Sequence, residues 1–449
     1  MARTMNMTAG SPIKLLFSFA LPLMFGNIFQ QLYTVVDTAI VGRGVGMTAL
    51  AALGTVDWLN WMMLGIAQGF TQGFCIRMSQ RFGAQDIEGL KRTLGTSVLL
   101  TALVALLGTL VAQVGLPVFL QLMQVPDSLI PSATLYSRII MGGFAAVCFF
   151  NLCSSTLRAV GDSKTPLMAM VVASVTNIAL DIVAVFVLHW GIAGAAVATV
   201  FSQLLSGILC AVKILHTPEL RFEKRHLTLN LSAVRDLMGI GIPGAAKNVI
   251  IAVGGMVVQT VVNSFDSMSF IAGFTATNKL YGLLEIAALS YGYAVTTYVG
   301  QNYGAGLVPR IRKGVRAANV LALISSVVIA AAMLIFGRQI TMLFISREDM
   351  VLALEAGNTA YRFLCCMSLS LPVLYVLYVY MSALQGMGNT VFPMYSAAFE
   401  LVIRIAVSLV VAQIGFREGI FLAEVGAWYG GALTQALGYV LQIRKLPKS

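Results

Sequence analysis

Twelve apolar segments, each long enough to cross a lipid bilayer, dominate the sequence. Of its 449 residues, 58% are hydrophobic and only 10% are charged, whereas soluble domains usually carry about 25% charged residues. A transmembrane helix needs roughly 20 apolar residues, and the periodicity of these segments is helical. The predicted spans are 15–41, 49–76, 95–121, 131–157, 165–188, 192–214, 236–263, 270–298, 316–337, 352–384, 391–413 and 420–442. The sequence therefore predicts an all-α polytopic membrane protein with twelve transmembrane helices.

The two halves of the chain repeat each other. The segment SQRFGA after the second span matches GQNYGA after the eighth, and Pro22 in the first span matches Pro243 in the seventh. Six spans repeated in the same orientation indicate two six-helix bundles related by a pseudo-twofold axis along the membrane normal, as in many transporters. The predicted domains are an N-terminal bundle (1–215), a cytoplasmic linker (216–235) and a C-terminal bundle (236–449).

The basic residues are concentrated in alternate loops. The chain has a formal net charge of +11, and the loop after the second span alone holds Arg77, Arg81, Lys91 and Arg92. Under the positive-inside rule these loops and both termini are predicted to be cytoplasmic, which fits a multi-pass protein of the plasma (inner) membrane. Basic loops facing an anionic leaflet account for the charge, so no nucleic acid partner is expected.

The fifth span carries a carboxylate in an otherwise apolar helix. Ser174, Asn177 and Asp181 are separated by three and four residues, which places them on one helical face. A carboxylate at the centre of a span costs about 2.5–3.5 kcal/mol on insertion scales, and such residues usually face a cavity or a partner. Asp181 is therefore predicted to belong to an ion-coupling site.

Topology brings further polar side chains to the depth of Asp181. Asp37, Tyr136 and Thr199 lie on the first, fourth and sixth spans. At ~1.5 Å per residue, each lies roughly 6–12 Å below the outer surface. Oxygen atoms of Asp37, Asn177, Asp181 and Thr199 could hold Na⁺, and two close carboxyl groups can share a proton near neutral pH. The predicted coupling ion is H⁺ or Na⁺, and the residue types do not distinguish them.

A purely structural role is the alternative for each of these residues. Asp37 and Asp181 would then be a helix-packing pair, and Asn177, Tyr136 and Thr199 would form hydrogen bonds between helices.

Other polar positions are predicted to affect helix shape or to contact substrate. Pro22, which lies 15 residues before Asp37, removes a helical hydrogen bond and is predicted to permit a bend in the first span. The candidate substrate-cavity residues are Gln30, Gln31, Tyr33, Glu285, Glu400 and Arg404. Glu400 lies one turn before Arg404, so an intrahelical ion pair with a structural role is favoured there.

Together these residues resemble the multidrug and toxic compound extrusion (MATE) family, which is related to lipid-linked oligosaccharide flippases. The resemblance covers nearly the whole chain and rests on Pro22 with Asp37, on SQRFGA and GQNYGA, and on Gly161-Asp162-x-x-x-Pro166 leading into Asn177-x-x-x-Asp181. It is strongest to the DNA-damage-inducible-F-like (DinF-like) branch. For that branch the resemblance implies a cation or proton site at Asp37, Tyr136, Asn177, Asp181 and Thr199. Another pattern in the family places cation-binding acids in the C-terminal bundle, where this chain has Glu285 and Glu400.

The resemblance implies a secondary-active multidrug efflux antiporter. Such a protein exports amphipathic or cationic organic compounds in exchange for H⁺ or Na⁺ by alternating access, acts as a monomer, and needs no cofactor besides the coupling ion. The alternative is a lipid-linked oligosaccharide flippase, which would need a strongly basic cavity, whereas Arg404 and Lys279 are the chief basic residues within the spans. The sequence has no Walker A motif, so an ion gradient rather than ATP is expected to drive transport. An enzyme is not expected, because no histidine cluster, Ser-His pairing or metal-ligand spacing occurs at one membrane face.

Overall fold

The computed structural model describes residues 4–123, 125–265, 267–342, 345 and 350–447. Within these ranges the chain forms thirteen α-helices. They are α1 (Pro12–Gly44), α2 (Met47–Gly83), α3 (Ile87–Leu122), α4 (Ile130–Gly142), α5 (Phe144–Ala159), α6 (Lys164–Ile182), α7 (Gly191–Leu215), α8 (Leu231–Ser264), α9 (Met268–Gly304), α10 (Val308–Thr341), α11 (Met350–Gly386), α12 (Val391–Ile414) and α13 (Phe421–Arg444).

The helices correspond one by one to the predicted spans once α4 and α5 are counted together. These two helices are bent by 42° at Gly143. Among the described residues, eight helices are individually long and apolar enough to cross a membrane, and nine crossings result if the bent pair is one span. The predicted fold class, an all-α polytopic membrane protein, is confirmed.

The chain forms two compact units that share two helices. Unit 1 contains the residues up to Met7 and Leu21–Asn248, and unit 2 contains Thr8–Ala20 and the residues from Val249 onward. The division therefore falls inside α1, beside Pro22, and inside α8. The first half of α8 packs in unit 1 although its sequence belongs to the second repeat. The domain boundaries taken from the repeat divide the chain differently and stay a prediction, as does the bend at Pro22.

Two apolar clusters fill the interior of unit 1 near opposite ends of α6 and α7. The Val41 cluster includes Val41, Val56, Tyr136, Val185 and Ile192. The Phe74 cluster includes Phe74, Leu90, Leu157, Cys210 and Ile214 and lies toward the helix ends that carry Lys164 and Lys213, called the basic end below. Burying this apolar surface supplies about 25 cal/mol per Å². Between the two clusters lies a layer of buried polar side chains.

The linker is anchored to the first turns of α3. His226 is buried, its Nδ1 accepts a hydrogen bond from the Glu223 N–H (2.8 Å), and its Nε2 lies 3.3 Å from Glu88 Oε1. Thr96 Oγ1 also donates to the Thr228 carbonyl (3.0 Å). These contacts explain how a charged segment after α7 can hold a fixed path along unit 1.

A stripe of glycines on α2 packs directly against the backbone of α8 in unit 1. A Cβ atom on Gly69 would lie 2.4 Å from the Ala245 Cα, and one on Gly73 would lie 2.8 Å from the Gly241 Cα. Small residues at this spacing allow helix backbones to approach closely. The Asn248 Nδ2 then reaches the carbonyl of Gly65 (2.7 Å).

Replacing Gly69 with alanine is expected to destabilise the protein by about 1–3 kcal/mol, because the added methyl group has no room between the two backbones. The matched control is Gly54→Ala on the same helix, where a Cβ meets no atom within 4 Å. That change should be neutral or stabilising, since alanine favours helices over glycine. Thermal unfolding of the two purified variants measures the difference, and equal midpoints would contradict the packing argument.

Candidate functional site

Asp37 of α1 and Asp181 of α6 meet inside unit 1. Their carboxyl groups lie within hydrogen-bonding reach of each other, and the two residues are 8% and 0% exposed. Among the described residues, Oδ1 of Asp37 and both carboxyl oxygens of Asp181 lack any hydrogen-bond donor. Two ionised carboxylates in this position would repel each other without compensation, so the pair suits a shared proton or a bound cation.

Asn177 extends the acid pair by one helical turn along α6. The residue is 1% exposed, and neither its Oδ1 nor its Nδ2 has a hydrogen-bond partner among the described residues. A buried polar group left unsatisfied costs about 1–3 kcal/mol, which favours an occupant such as water or an ion. Directly beyond Asp181, α6 passes into a π-helical turn, Val183–Val187. Such turns are frequent at functional sites, and this one was not predicted from the sequence.

Tyr136 and Thr199 complete the predicted group from two further helices. Tyr136 of α4 is 8% exposed and lies close enough to Asp37 and Asp181 to interact electrostatically with both. Thr199 of α7 donates its hydroxyl hydrogen to the Ala195 carbonyl (3.0 Å), which leaves its oxygen lone pairs available. The structure thus places all five predicted coupling residues in one polar layer of unit 1.

A small cavity of about 20 Å³, which is room for about one water molecule, continues this polar layer. Its lining residues are Gln30, Tyr33, Phe150, Met170, Ala173, Ser174, Asn177, Thr199, Ser202, Gln203 and Ser206. Gln30 and Tyr33 were predicted as cavity residues, and both line the cavity together with Gln203. Gln31 was predicted as well but is not among the lining residues.

Ser202 and Ser206 were not predicted as site residues. The signal was present in the sequence, because Thr199, Ser202 and Ser206 repeat at intervals of three and four residues along α7. Short hydroxyl side chains are common in apolar helices and often bond only to their own backbone. Their role becomes visible only when the structure places them around the same cavity as Asn177.

In unit 2, the predicted ion pair of Arg404 with Glu400 is present, but Arg404 also binds a second carboxylate more closely. Arg404 donates two hydrogen bonds to the Glu424 carboxylate of α13, both of 2.9 Å. The predicted intrahelical partner, Glu400, is farther away, at 3.9 Å from the guanidinium. A forked guanidinium binds a carboxylate best through two parallel bonds, and the rotation of α12 offers that geometry only to Glu424.

Glu285 belongs to the same buried group in unit 2. Tyr378 of α11 donates a hydrogen bond to Glu285 Oε1. Tyr281, one turn earlier on α9, stacks on Trp428 with ring centroids 5.6 Å apart and interacts electrostatically with Glu285, Glu424 and Arg404. Lys279, the other chief basic residue within the predicted spans, is exposed on α9. The group thus contains the buried side chains of Glu285, Glu400 and Arg404 and the partly exposed side chain of Glu424.

Known proteins share both the sequence pattern and the fold. The MatE family profile matches residues 22–183 and 243–410. "Probable multidrug resistance protein YpnP" of Bacillus subtilis (strain 168) is 32% identical over 355 residues, covering 77% of this chain and 77% of the relative. "DNA damage-inducible protein F" of Escherichia coli (strain K12) is 28% identical over 339 residues, covering 70% of each.

Solved structures agree with the fold along the whole chain. One described as "Outward-facing conformation of a multidrug resistance MATE family transporter of the MOP superfamily" superposes with a TM-score of 0.92 at 22% identity, covering 100% of both chains. A MOP superfamily transporter from Pyrococcus furiosus superposes with a TM-score of 0.93, also at 22% identity and with full coverage of both chains. The family profile, the relatives and the fold together show that this chain belongs to the MatE family of membrane transporters.

Proposed function

We propose that this protein is a multidrug efflux antiporter that exports amphipathic or cationic organic compounds in exchange for H⁺ or Na⁺. The observation that carries the proposal is the acid pair of Asp37 and Asp181, buried in unit 1 and lacking a cationic partner among the described residues. Ionisable groups within a membrane usually mark ion or proton pathways. Relatives named as multidrug resistance proteins support the class of substrate.

Ion binding at the acid pair would act through α1. Asp37 lies on the part of α1 that packs in unit 1, while the first turns of the same helix pack in unit 2. A proton or Na⁺ shared by Asp37 and Asp181 removes their repulsion and draws α1 toward α6. When the site empties, the two carboxylates repel and favour a different position of α1. This differential affinity for two states is what coupling requires.

The charge of a group of polar residues in unit 2 supports the proposed substrate class. Glu285, Glu400 and Glu424 outnumber Arg404, whose guanidinium is already engaged by Glu424. Acidic and aromatic side chains such as Glu285 and Tyr378 favour an organic cation. A lipid-linked oligosaccharide carries a pyrophosphate and would need the opposite charge, so the flippase alternative is disfavoured.

The proposed setting is the plasma membrane with both termini in the cytoplasm. The basic loop residues before α3 and between α7 and α8 support this orientation through the positive-inside rule. We propose that the transporter works as a monomer, as the resemblance to the family implies.

Transport into proteoliposomes tests the proposal. A fluorescent organic cation is presented under a pH gradient, a Na⁺ gradient or no gradient, and an ionophore then dissipates the gradient. We expect concentrative transport with one of the two ions and its collapse with the ionophore. A relative in Shewanella oneidensis, 25% identical over 340 residues, is named "FAD transporter", so FAD is the anionic control. Gradient-driven movement of FAD but not of the cation would contradict the proposed substrate class.

A further inference from the structure

Five basic residues of unit 2 gather where α10 begins and α13 ends. They are Arg312, Lys313 and Arg316 in the first three turns of α10, and Arg444 and Lys445 at the end of α13. The guanidinium of Arg312 donates a hydrogen bond to the Ile443 carbonyl of α13 (3.4 Å), so the two helix ends are neighbours. These five residues are called the basic rim below.

The basic rim differs from the basic end of unit 1 in the lack of acidic residues near it in the sequence. There is no aspartate or glutamate between Glu285 and Glu348 or after Glu424. Among the described residues, none of the five forms an ion pair, whereas at the basic end of unit 1 Arg77 pairs with Asp236. The positive-inside rule accounts for the cations but does not require acids to be absent. Clustered cations repel one another, so the basic rim is suited to an anionic ligand.

A groove lies beside the basic rim, between α10 and α13. Both helices pack closely on α11, whereas their own backbones hardly approach each other, which leaves α11 as the floor of the groove. Tyr439 of α13 and Tyr380 of α11 pair there, with ring centroids 5.3 Å apart. Tyr439 lies close enough to Arg312 and Arg316 to interact electrostatically with both. The basic rim therefore borders a groove with aromatic rings near its mouth.

Exposed apolar side chains continue from the basic rim along both helices. The stripe that follows Arg316 on α10 consists of Val320, Leu323 and Val327. The stripe that precedes Arg444 on α13 consists of Leu433, Leu437 and Val440. Intervals of three and four residues keep each stripe on the helical face of its arginine. At ~1.5 Å per residue, the α10 stripe extends about 16 Å from Arg316, which is close to half the ~30 Å thickness of a hydrocarbon core.

We propose that the basic rim and its groove bind an anionic phospholipid of the leaflet that the rim faces. Arg316 and Arg444, both exposed, hold the phosphodiester, because a guanidinium matches two phosphate oxygens through parallel hydrogen bonds. The acyl chains lie along the two apolar stripes. Basic residues at a membrane surface attract anionic lipids in this way. The bound lipid joins α10 to α13 and so stabilises unit 2, whether or not the proposed antiport is correct.

Lipid binding by the full-length protein in detergent tests the proposal. Native mass spectrometry measures the affinity for phosphatidylglycerol and for phosphatidylcholine with the same acyl chains, and thermal unfolding measures the stabilisation by each lipid. Inorganic phosphate is the probe for a site that needs no acyl chains. Arg316→Gln combined with Arg444→Gln removes two charges of the basic rim, and Arg316→Lys combined with Arg444→Lys keeps them. The matched control is Arg221→Gln combined with Arg235→Gln, which removes two exposed charges from unit 1.

We expect the wild type to bind phosphatidylglycerol at least about tenfold more tightly than phosphatidylcholine, since only the first lipid carries a net negative charge. The glutamine variant of the basic rim should lose about tenfold or more of this affinity, together with the rise in unfolding midpoint that a bound ligand produces. The lysine variant and the unit 1 control should keep the preference for phosphatidylglycerol. Without lipid, all four proteins should unfold at similar temperatures, because the exchanged side chains are exposed.

Three results would overturn the lipid site. Equal affinities of the wild type for the two lipids would remove the role of charge. An equal loss of affinity in the unit 1 control would show a general attraction to positive charge instead of a site at the basic rim. Inorganic phosphate that raises the unfolding midpoint as much as phosphatidylglycerol would assign the arginines to a free phosphate, with no part for the groove.

Discussion

Replacing Asp37 or Asp181 with asparagine is expected to abolish ion-driven export without lowering stability. Asparagine keeps the shape of the side chain but can neither take up a proton nor carry the charge that binds Na⁺. We expect a loss of about 100-fold or more in gradient-driven transport, in line with the ~10²–10⁴-fold contribution of a positioned proton-transfer group. The measurement is uptake of the fluorescent cation into proteoliposomes under the gradient that drives the wild type.

Stability distinguishes a coupling role from a packing role. The two carboxyl groups face each other and lack other partners among the described residues, so removing one charge relieves repulsion and a desolvation cost. The unfolding midpoint at neutral pH should therefore stay level or rise, where ~1 kcal/mol corresponds to about 2–4 °C for a domain of 150–250 residues. A helix-packing pair predicts the reverse, a lower midpoint with transport retained.

Two comparisons sharpen this result. Asp127→Asn changes an exposed acid in the turn before α4 and should leave both transport and stability at the wild-type level. The double variant of Asp37 and Asp181 should transport no worse than either single variant, because residues that act as one unit do not contribute additively. Full gradient-driven export by both single variants would exclude coupling at this site.

The helices and the acid pair were predictable because both depend on local rules. Length and apolar periodicity define a span, and a carboxylate inside a span is rare enough to indicate a site. Counting residues from the span ends then gives the depth of Asp37, Asp181 and Tyr136 without knowledge of helix packing. In the structure these three side chains lie close enough to interact electrostatically, as their common depth suggests.

Features that depend on helix rotation or on packing between distant segments were not predictable. The sequence suggests one continuous span over 131–157, yet the chain bends at Gly143, where a Cβ would lie 2.3 Å from Val200 of α7. The glycine permits that close approach, but the sequence around Gly143 does not indicate that Val200 packs against it. Likewise, the first half of α8 packs in unit 1, where its backbone contacts Gly69 of α2. The repeat between the two halves of the sequence gives no information about this contact.

The partner of Arg404 shows the same limit at a single side chain. Glu400 lies four residues before Arg404, so the spacing rule for helices selects it. Glu424 lies on the next helix, 20 residues away, and satisfies the guanidinium with two bonds instead. A rule about neighbours in sequence cannot rank a partner whose position depends on how α12 and α13 pack.

Breaking the pair of Arg404 and Glu424 is expected to cost more stability than breaking any exposed ion pair. Glu424→Gln should lower the free energy of unfolding by about 3–5 kcal/mol, because it leaves a buried guanidinium without its principal counterion. The control is Glu418→Gln, which breaks an ion pair with Arg362. The Glu418 side chain is 37% exposed and the Arg362 side chain is 64% exposed. That change should cost at most about 1 kcal/mol. Unfolding of the purified variants in detergent gives both values, and equal losses would contradict the argument.

Replacing both partners separates the structural role of this pair from a role in substrate binding. Arg404→Met combined with Glu424→Leu should recover most of the stability, since apolar substitutes for a buried ion pair are often neutral or stabilising. Glu285 and Glu400 remain in this variant, so an organic cation still meets acidic side chains. If the stable double variant exports the cation at the wild-type rate, the pair only neutralises buried charge. A stable variant with a raised KM and an unchanged response to the ion gradient would instead place Arg404 and Glu424 at the substrate.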